Sequence, residues 1–224
     1  PAPARHVQVL RMQPGAGLTL FDGHGGEFTA CVTHMGRSEV RVHVGRHDPT
    51  ERELARAVTL AIGMPANERM DALIEKATEL GVAAIAPLVC ERSVLRLQGE
   101  RAAKRLAHWR GVAVAACEQS GRTRVPVIDP VAPLPAWLQA LPPIGAGARW
   151  LLSLGDAAAL AQLAAALGSA DPVLVLSGPE GGLSADEEAL ARCRGFAPAR
   201  LGPRVLRADT APLAVLACLG LIAP

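Results

Sequence analysis

Val40, Val42 and Val44 alternate with Arg41 and His43, and Phe28, Ala30 and Val32 alternate with Thr29 and Cys31. A two-residue period marks strands with one face buried. Asp22-Gly23-His24-Gly25-Gly26 and Met35-Gly36-Arg37-Ser38 supply turns between such runs, so residues 5–46 read as a small antiparallel β module. The module is short for a core of its own, so it should pack on the rest of the chain or lack an N-terminal strand. The opening Pro-Ala-Pro-Ala, without Met, predicts that the true beginning is missing. Five of the six histidines fall within residues 1–50 at irregular spacing, which suits surface and turn positions better than a metal site.

After the linker Asp48-Pro49-Thr50 the period changes. Residues 57–62 read as a strand, and residues 67–80 as a helix with Met70, Leu73, Ile74, Ala77 and Leu80 on one face and Gly81 as its stop. Residues 82–89 form a second buried strand that Pro87 ends early or places at an edge. This βαβ order implies parallel pairing. The next helix, 100–117, turns Ala103, Leu106, Trp109 and Ala113 inward and Arg101, Lys104, Arg105 and His108 outward, with Gln119 and Arg122 in the loop beyond. Lys76, between Glu75 and Glu79, reads as a local ion-pair partner. The five prolines between 130 and 143 predict a connection without a strand; a strand at 150–154 and an alanine-rich helix at 156–167 come next.

The apolar run at 173–176 breaks at Ser177-Gly178-Pro179 and reads as a buried strand of a parallel sheet. Ser184 with Glu187 forms a capping box, so a helix starts at about Ala185, and residues 175–184 are strand, glycine loop and helix start. Ligands of α/β proteins gather at such carboxyl ends. A second loop, 200–210, leads into helix 211–222, with Asp209 or Thr210 as N-cap and Pro212 in its first turn. Leu213, Val215, Leu216, Cys218, Leu219 and Ile222 make that helix apolar nearly all round, so the core or a second subunit must cover it. Taken alone, the glycine loop is either a tight βα turn or a ligand loop. It has neither the lysine of a phosphate loop nor G-x-G-x-x-G spacing.

Composition narrows this picture. Half the residues are hydrophobic but only 3% are aromatic and Tyr is absent, so the core is aliphatic. No apolar run reaches the roughly 18 residues of a membrane span and no signal peptide is visible, which predicts a soluble protein. Five scattered cysteines without C-x-x-C argue against disulfides or zinc, fit a reducing cytoplasm, and read mostly as small buried residues. A net charge of +2 decides little, but its distribution does. Eight basic residues against three acids lie between Glu91 and Arg124, and five arginines with no acid lie between Ala189 and Ala208. Two such runs flanking one candidate site suggest a phosphate-binding surface.

Ser177-Gly-Pro-Glu-Gly-Gly-Leu-Ser184 followed by Leu201-Gly-Pro-Arg-Val-Leu-Arg-Ala-Asp-Thr-Ala211 closely resembles the C-terminal signature of the RsmE family. Glu75-Lys-Ala-Thr-Glu-Leu-Gly-Val82 and Glu118-Gln-Ser-Gly-Arg122 resemble that family's upstream blocks in the same order, so the resemblance spans nearly the whole chain. It implies a SPOUT-type α/β knot, with a deep trefoil knot at the C-terminus, after a small PUA-like β-barrel. The barrel is placed at residues 1–50 and the methyltransferase domain at 51–224.

The implied activity is S-adenosylmethionine-dependent methylation of N3 of a uridine in 16S ribosomal RNA, in the cytoplasm, by a homodimer acting on the assembled small subunit, with no metal. By the same resemblance Leu154, Leu176, Ser177, Gly178, Gly181, Leu201, Gly202, Val205 and Leu206 hold the cofactor. Arg11, Arg92, Arg101, Arg105 and Arg122 meet RNA. Arg207, Asp209, Glu180 and Arg122 are the catalytic candidates: Arg207 pairs with a uracil oxygen or a phosphate, Asp209 positions, and Glu180 acts or only shapes its loop, which leaves the base open. Arg122 alternatively caps the preceding helix. Where the family usually has Thr-Glu-Thr this chain has Ala208-Asp209-Thr210, an acid one methylene shorter. Two other readings remain: a related knotted methyltransferase acting on another RNA or atom, and a non-catalytic ribosome-binding factor.

Overall fold

The computed structural model describes residues 2–66 and 69–222. Its contacts divide it into two units, Pro1–Arg52 with Gly121–Arg124, and Glu53–Ser120 with Val125–Pro224. In the first unit the two-residue alternation becomes an antiparallel sheet. Helix α1 (Ala2–Val9) precedes strands β1 (Gly17–Leu20), β2 (Glu27–Met35) and β3 (Val40–Asp48), in the order β1-β2-β3. Ala30 and Val32 form its buried face. Residues 5–9, expected in strand, are helical. Ala2 and Ala4 start the helix and Arg5 and Gln8 tolerate it, and Gln8 Nε2 donates to the Gly36 carbonyl in the β2–β3 turn (2.8 Å). Segment 121–124 joins this unit through a Gly25 N–H donated to the Thr123 carbonyl (3.2 Å) and an Arg124–Glu51 ion pair (2.8 Å).

The second unit runs β4 (Val58–Gly63), α2 (Arg69–Glu79), β5 (Ala84–Val89), α3 (Gly99–Ser120), β6 (Val127–Ile128), β7 (Ala132–Pro133), α4 (Leu134–Ala140), β8 (Ala148–Leu152), β9 (Ala158–Ala159), α5 (Leu160–Ala165), β10 (Val173–Ser177), α6 (Ala185–Cys193), β11 (Ala197–Arg200) and α7 (Thr210–Ile222). Every strand pairs in parallel, in the order β6-β5-β4-β10-β8-β11-β9, with β7 also on β5. The late strand β10 lies between β4 and β8, with Val175 opposite both Leu60 and Trp150.

Parallel sheets are covered on both faces. Val58, Leu60, Ile62, Ile85, Trp150, Val173 and Val175 point into one core with α2, α3, α5 and α7. Ala61, Ala86, Leu88, Leu151 and Leu176 point into the other with α4 and α6.

Several local features differ from expectation for identifiable reasons. Pro87 lies inside β5, which has neighbours on both sides. The Ala83 and Ile85 carbonyls accept from Val127 and Asp129 on the β6 side, and the alternation turns the Pro87 nitrogen that way too. There the pairing is interrupted, because β6 ends opposite Ile85 and β7 begins opposite Leu88. The proline-rich segment, expected to hold no strand, contributes the short strand β7 beside β5. It also contains α4, since Pro133 is its N-cap and Pro135 falls in the first turn, where a missing N–H costs little.

Helix 156–167 shortens to α5, because Ala158 and Ala159 pair with β11. α3 extends through Gln119 and is rotated so that Ala102, not the exposed Ala103, packs inward. The Trp109 indole N–H, donated to Asp71 Oδ1 (2.9 Å), fixes that rotation. α2 begins within the described residues at Arg69; Asn67 and Glu68 of the expected helix lie outside them. It ends as expected at Gly81 (φ +87°), where Val82 N–H donates to the Ala77 carbonyl and Gly81 N–H to that of Thr78.

The chain itself covers the apolar face of α7. Val215, Leu216 and Leu219 are buried and Leu213 and Cys218 pack against the same core; the Ile222 side chain lies outside the described residues. The expected surplus of large apolar side chains for a second subunit is thus mostly consumed within the protomer. Leu216→Glu is therefore expected to unfold the protomer, since it forces a carboxylate into an apolar core. Urea titration should show an unfolding free energy lowered by several kcal/mol, or no transition at all. A folded monomer of unchanged stability would place Leu216 at an interface instead.

Candidate functional site at the carboxyl end of the sheet

Because β8, β10 and β11 are parallel neighbours, the segments that follow them emerge at one end of the sheet. These are residues 153–157, 178–184 and 201–209. The glycine loop 178–184 is shaped by close approaches at Gly63 and Gly178. A Cβ on Gly63, at the end of β4, would lie 2.5 Å from Pro179 Cδ and 2.9 Å from Cys90 Sγ. One on Gly178 would lie 3.0 Å from the Gly182 backbone. Gly182 takes φ +70° and donates its N–H to the Pro179 carbonyl (2.8 Å), closing the turn.

One carboxylate ties this loop to its neighbour. Glu187 Oε2 accepts from Ser184 N–H (2.9 Å) while Ser184 Oγ accepts from Glu187 N–H (3.4 Å), completing the expected capping box. The other oxygen, Oε1, accepts from Glu91 N–H (2.8 Å), beyond the end of β5. The signal for the box was in the sequence, but nothing there identified Glu91 as the third partner. Beside it, Cys90 is buried, and that burial, reinforced by the Glu187 charge, pushes its thiol up to about 12. It stays protonated at neutral pH and is no nucleophile.

The predicted cofactor residues divide by exposure. Leu176 and Ser177 are buried within β10, so Leu176 can offer only its backbone. Leu201 packs partly on the core, and Leu206 is half-buried. Leu154 and Val205 are 74% and 77% exposed, apolar side chains standing in solvent on loops of adjacent strands. Gly202 (φ +111°) and Gly182 face open space. Gly181 does not: a Cβ there would meet Arg92 Cβ at 3.0 Å, so a larger residue would displace Arg92. Exposed apolar side chains, open glycines and backbone polar groups at one end of the sheet are the kind of surface that an adenine nucleoside can use.

The charged candidates also separate. Glu180 Oε1 accepts from Ala66 N–H (3.0 Å) and lies 3.5 Å from Arg69 Nη1, so its carboxylate holds the loop to the segment after β4. Arg92, expected to contact RNA, donates from Nη1 to the Gly181 carbonyl (3.0 Å). Arg207 is exposed, and its carbonyl accepts from both Thr210 and Ala211 N–H (3.0 Å each), starting α7. Asp209 Oδ1 is buried and has no hydrogen-bond partner, so this oxygen does not cap the helix.

Arg101 is exposed, whereas Arg105 is half-buried 3.8 Å from Asp71, which partly offsets its charge. Arg11 (φ +52°) is exposed in the first unit. Arg122 also groups with that unit but is only 4% exposed, a poor position for a phosphate contact. Lys76 pairs with Glu75 and Glu79 (2.8 Å each) as a local ion pair. Cys90 and Cys117 are buried as expected, but Cys193 is exposed.

Comparison with known proteins first defines the class. A family model described as an RNA methyltransferase domain matches residues 52–220, and one described as an RNA methyltransferase PUA domain matches residues 4–45. The ribosomal RNA small subunit methyltransferase E of Mycobacterium tuberculosis (strain CDC 1551 / Oshkosh) is 34% identical over 216 residues, covering 96% of this chain and 81% of the relative. That of Bacillus subtilis (strain 168) is 31% identical over 217 residues, covering 95% and 84%. The crystal structure of the same enzyme from Neisseria gonorrhoeae, bound to S-adenosyl methionine, matches with a TM-score of 0.90 at 35% identity, covering 99% of this chain and 89% of that one. The chain belongs to the ribosomal RNA small subunit methyltransferase E family, and its fold is the expected SPOUT-type α/β domain with a PUA-like module.

The raised Cys90 thiol makes a prediction for the alkaline limb of stability. Its folded value lies above the unfolded one, so the folded state keeps a proton that the unfolded state has lost. Stability is then full below about pH 9 and falls as the pH rises towards 12. The chain has no Tyr and only two Lys, and its four other cysteines are common to the wild type and the Cys90→Ala variant. Urea titrations at pH 8 and 10 should show Cys90→Ala losing less stability between them than the wild type; equal losses would contradict the assignment.

Proposed function

We propose that the protein methylates N3 of a specific uridine in 16S ribosomal RNA, with S-adenosylmethionine as methyl donor, as a cytoplasmic homodimer acting on the assembled small subunit. Membership of the family supports the ribosomal RNA methyltransferase activity and its donor. The observation that carries the placement of the reaction is the convergence of three loops at the carboxyl ends of β8, β10 and β11, with Leu154 and Val205 exposed beside open glycines.

In this reading Leu154, Val205 and Leu206 wall the adenine slot, while the backbone of residues 176–182 and 201–202 supplies hydrogen-bonding groups. The donor, when bound, brings an electrophilic methyl on a positive sulfur, so no metal is needed. The protein's part is to orient the uracil and manage its N3 proton. Arg207, exposed one turn before α7, is free to meet the uracil oxygen on which negative charge develops, or a neighbouring phosphate. Glu180 and Arg92 hold the glycine loop in shape. The knotted threading expected of the C-terminal segment belongs to the same reading.

Calorimetry is expected to give one site per chain for S-adenosylmethionine and for S-adenosylhomocysteine, unchanged by a chelator. Tritiated-methyl transfer to small subunits should yield N3-methyluridine. Folded protein giving no heat with either ligand would contradict the reading, and would instead favour a ribosome-binding factor without catalysis.

RNA affinity is expected to depend on Arg11, Arg101 and Arg105. Their joint replacement by Gln should weaken binding and lower the slope of log affinity against log salt by up to about 3, with cofactor affinity intact. An unchanged slope would make these charges solvated surface only.

A further inference from the structure

Asp209 carries an observation that the cofactor reading does not use. Its Oδ1 is buried, and among the described residues nothing donates a hydrogen bond to it. Buried oxygens without partners are rare because they forgo hydration without replacement, and each one asks for an explanation. Asp209 stands on the loop from β11 into α7, at the same end of the sheet as the glycine loop.

Among the acids on or beside the three loops, the other candidates for a base are committed or exposed; Asp129, whose carboxyl pKa is raised by burial, follows β6, three strands away from β10. Glu180 is held by Ala66 N–H, Glu187 by Ser184 and Glu91 N–H, and the Cys90 thiol is kept protonated. Asp156, Asp186 and Glu188 lie at or near the surface, where water solvates them. The second unit's one histidine, His108, lies 2.8 Å from Asp71 and belongs to the α2–α3 contact.

We propose that Asp209 is the catalytic base: its Oδ1 accepts the N3–H of the target uracil, first as a hydrogen bond and then as a proton. The proposal rests on the N3-uridine reading above. The N–H bond breaks, its proton passes to the carboxylate, and its electron pair stays on N3 to form the new bond to the methyl carbon. The pair of the broken carbon–sulfur bond returns to sulfur, so the carboxylate's negative charge and the sulfonium's positive charge disappear together. Oδ1 has no opening to solvent in this structure, so the substrate reaches it only when the 201–209 loop shifts, and the missing partner is then the substrate itself. The same acceptor selects uracil over cytosine, whose N3 carries a lone pair and no hydrogen.

The test uses the full protein, with Asp209→Asn as the near-isosteric variant and calorimetry with S-adenosylhomocysteine as the control for an intact fold. Single-turnover transfer to small subunits should fall by roughly 10²–10⁴-fold in the variant. RNA carrying 5-fluorouridine at the target, whose N3–H is more acidic, should recover much of that loss; a residue that only positions the base would give no such recovery. A second measurement needs no turnover. With S-adenosylhomocysteine bound, the wild type should prefer target uridine over cytidine, and Asp209→Asn, whose amide can donate, should shift that preference by about tenfold or more towards cytidine. Should Asp209→Asn fail to bind the homocysteine product, Asp209→Glu is the second variant and should retain both the preference and measurable transfer. Wild-type product methylated at another atom would overturn the function reading and this proposal with it. N3-methyluridine made at an undiminished rate by Asp209→Asn, or an unshifted uridine preference, would overturn this proposal alone.

Discussion

The site depends on the carboxylate of Glu187. Buried at 6% exposure, it accepts backbone N–H groups from Ser184, at the start of its own helix, and from Glu91, beyond the end of β5. The glycine loop must reverse direction between a buried strand and a helix while leaving space above it. Glycines permit that path but do not select it. Selection comes from this carboxylate, from Glu180 held by Ala66 N–H, and from Arg92 on the Gly181 carbonyl. Three charged side chains are thus spent on shaping backbone, which leaves the open side of the loop to apolar groups and peptide dipoles. That division suits a ligand whose adenine and ribose are held by apolar contact and backbone hydrogen bonds.

Strand order makes the arrangement possible. With β10 inserted between β4 and β8, and β11 beyond β8, segments from opposite ends of the second unit's sequence end at the same edge. Gly63 at the end of β4 meets Pro179 directly, so the first and last thirds of that unit meet at the glycine loop. α7 then carries the chain back beneath the sheet, burying Val215, Leu216 and Leu219. Any movement of the 201–209 loop is therefore coupled to the packing of this helix.

Much of this was legible in the sequence. The two periods separated the β module from the α/β part, and the Ser184–Glu187 spacing placed α6 to the residue. The ordered blocks led to the family. What escaped was decided by tertiary contacts with no local signature. Trp109 reaching Asp71 set the rotation of α3, two alanines became the edge strand β9, and Pro87 sat in an interrupted pairing. Within the site, exposure separated residues that the motif treats alike: Leu176 is core whereas Val205 is open. The unpartnered oxygen of Asp209 could not be read from sequence at all, because lacking a partner is a property of the assembled loop.

A ligand-binding surface at the carboxyl end of the sheet, built on three loops that are distant in sequence, underlies both the proposed reaction and the role given to Asp209. Hydrogen exchange with and without S-adenosylhomocysteine tests it in one experiment. Protection should appear together in residues 153–157, 176–183 and 201–209 and be small elsewhere in the second unit. Protection of the opposite end of the sheet, at residues 79–83 and 168–173, or of only one of the three loops, would contradict it.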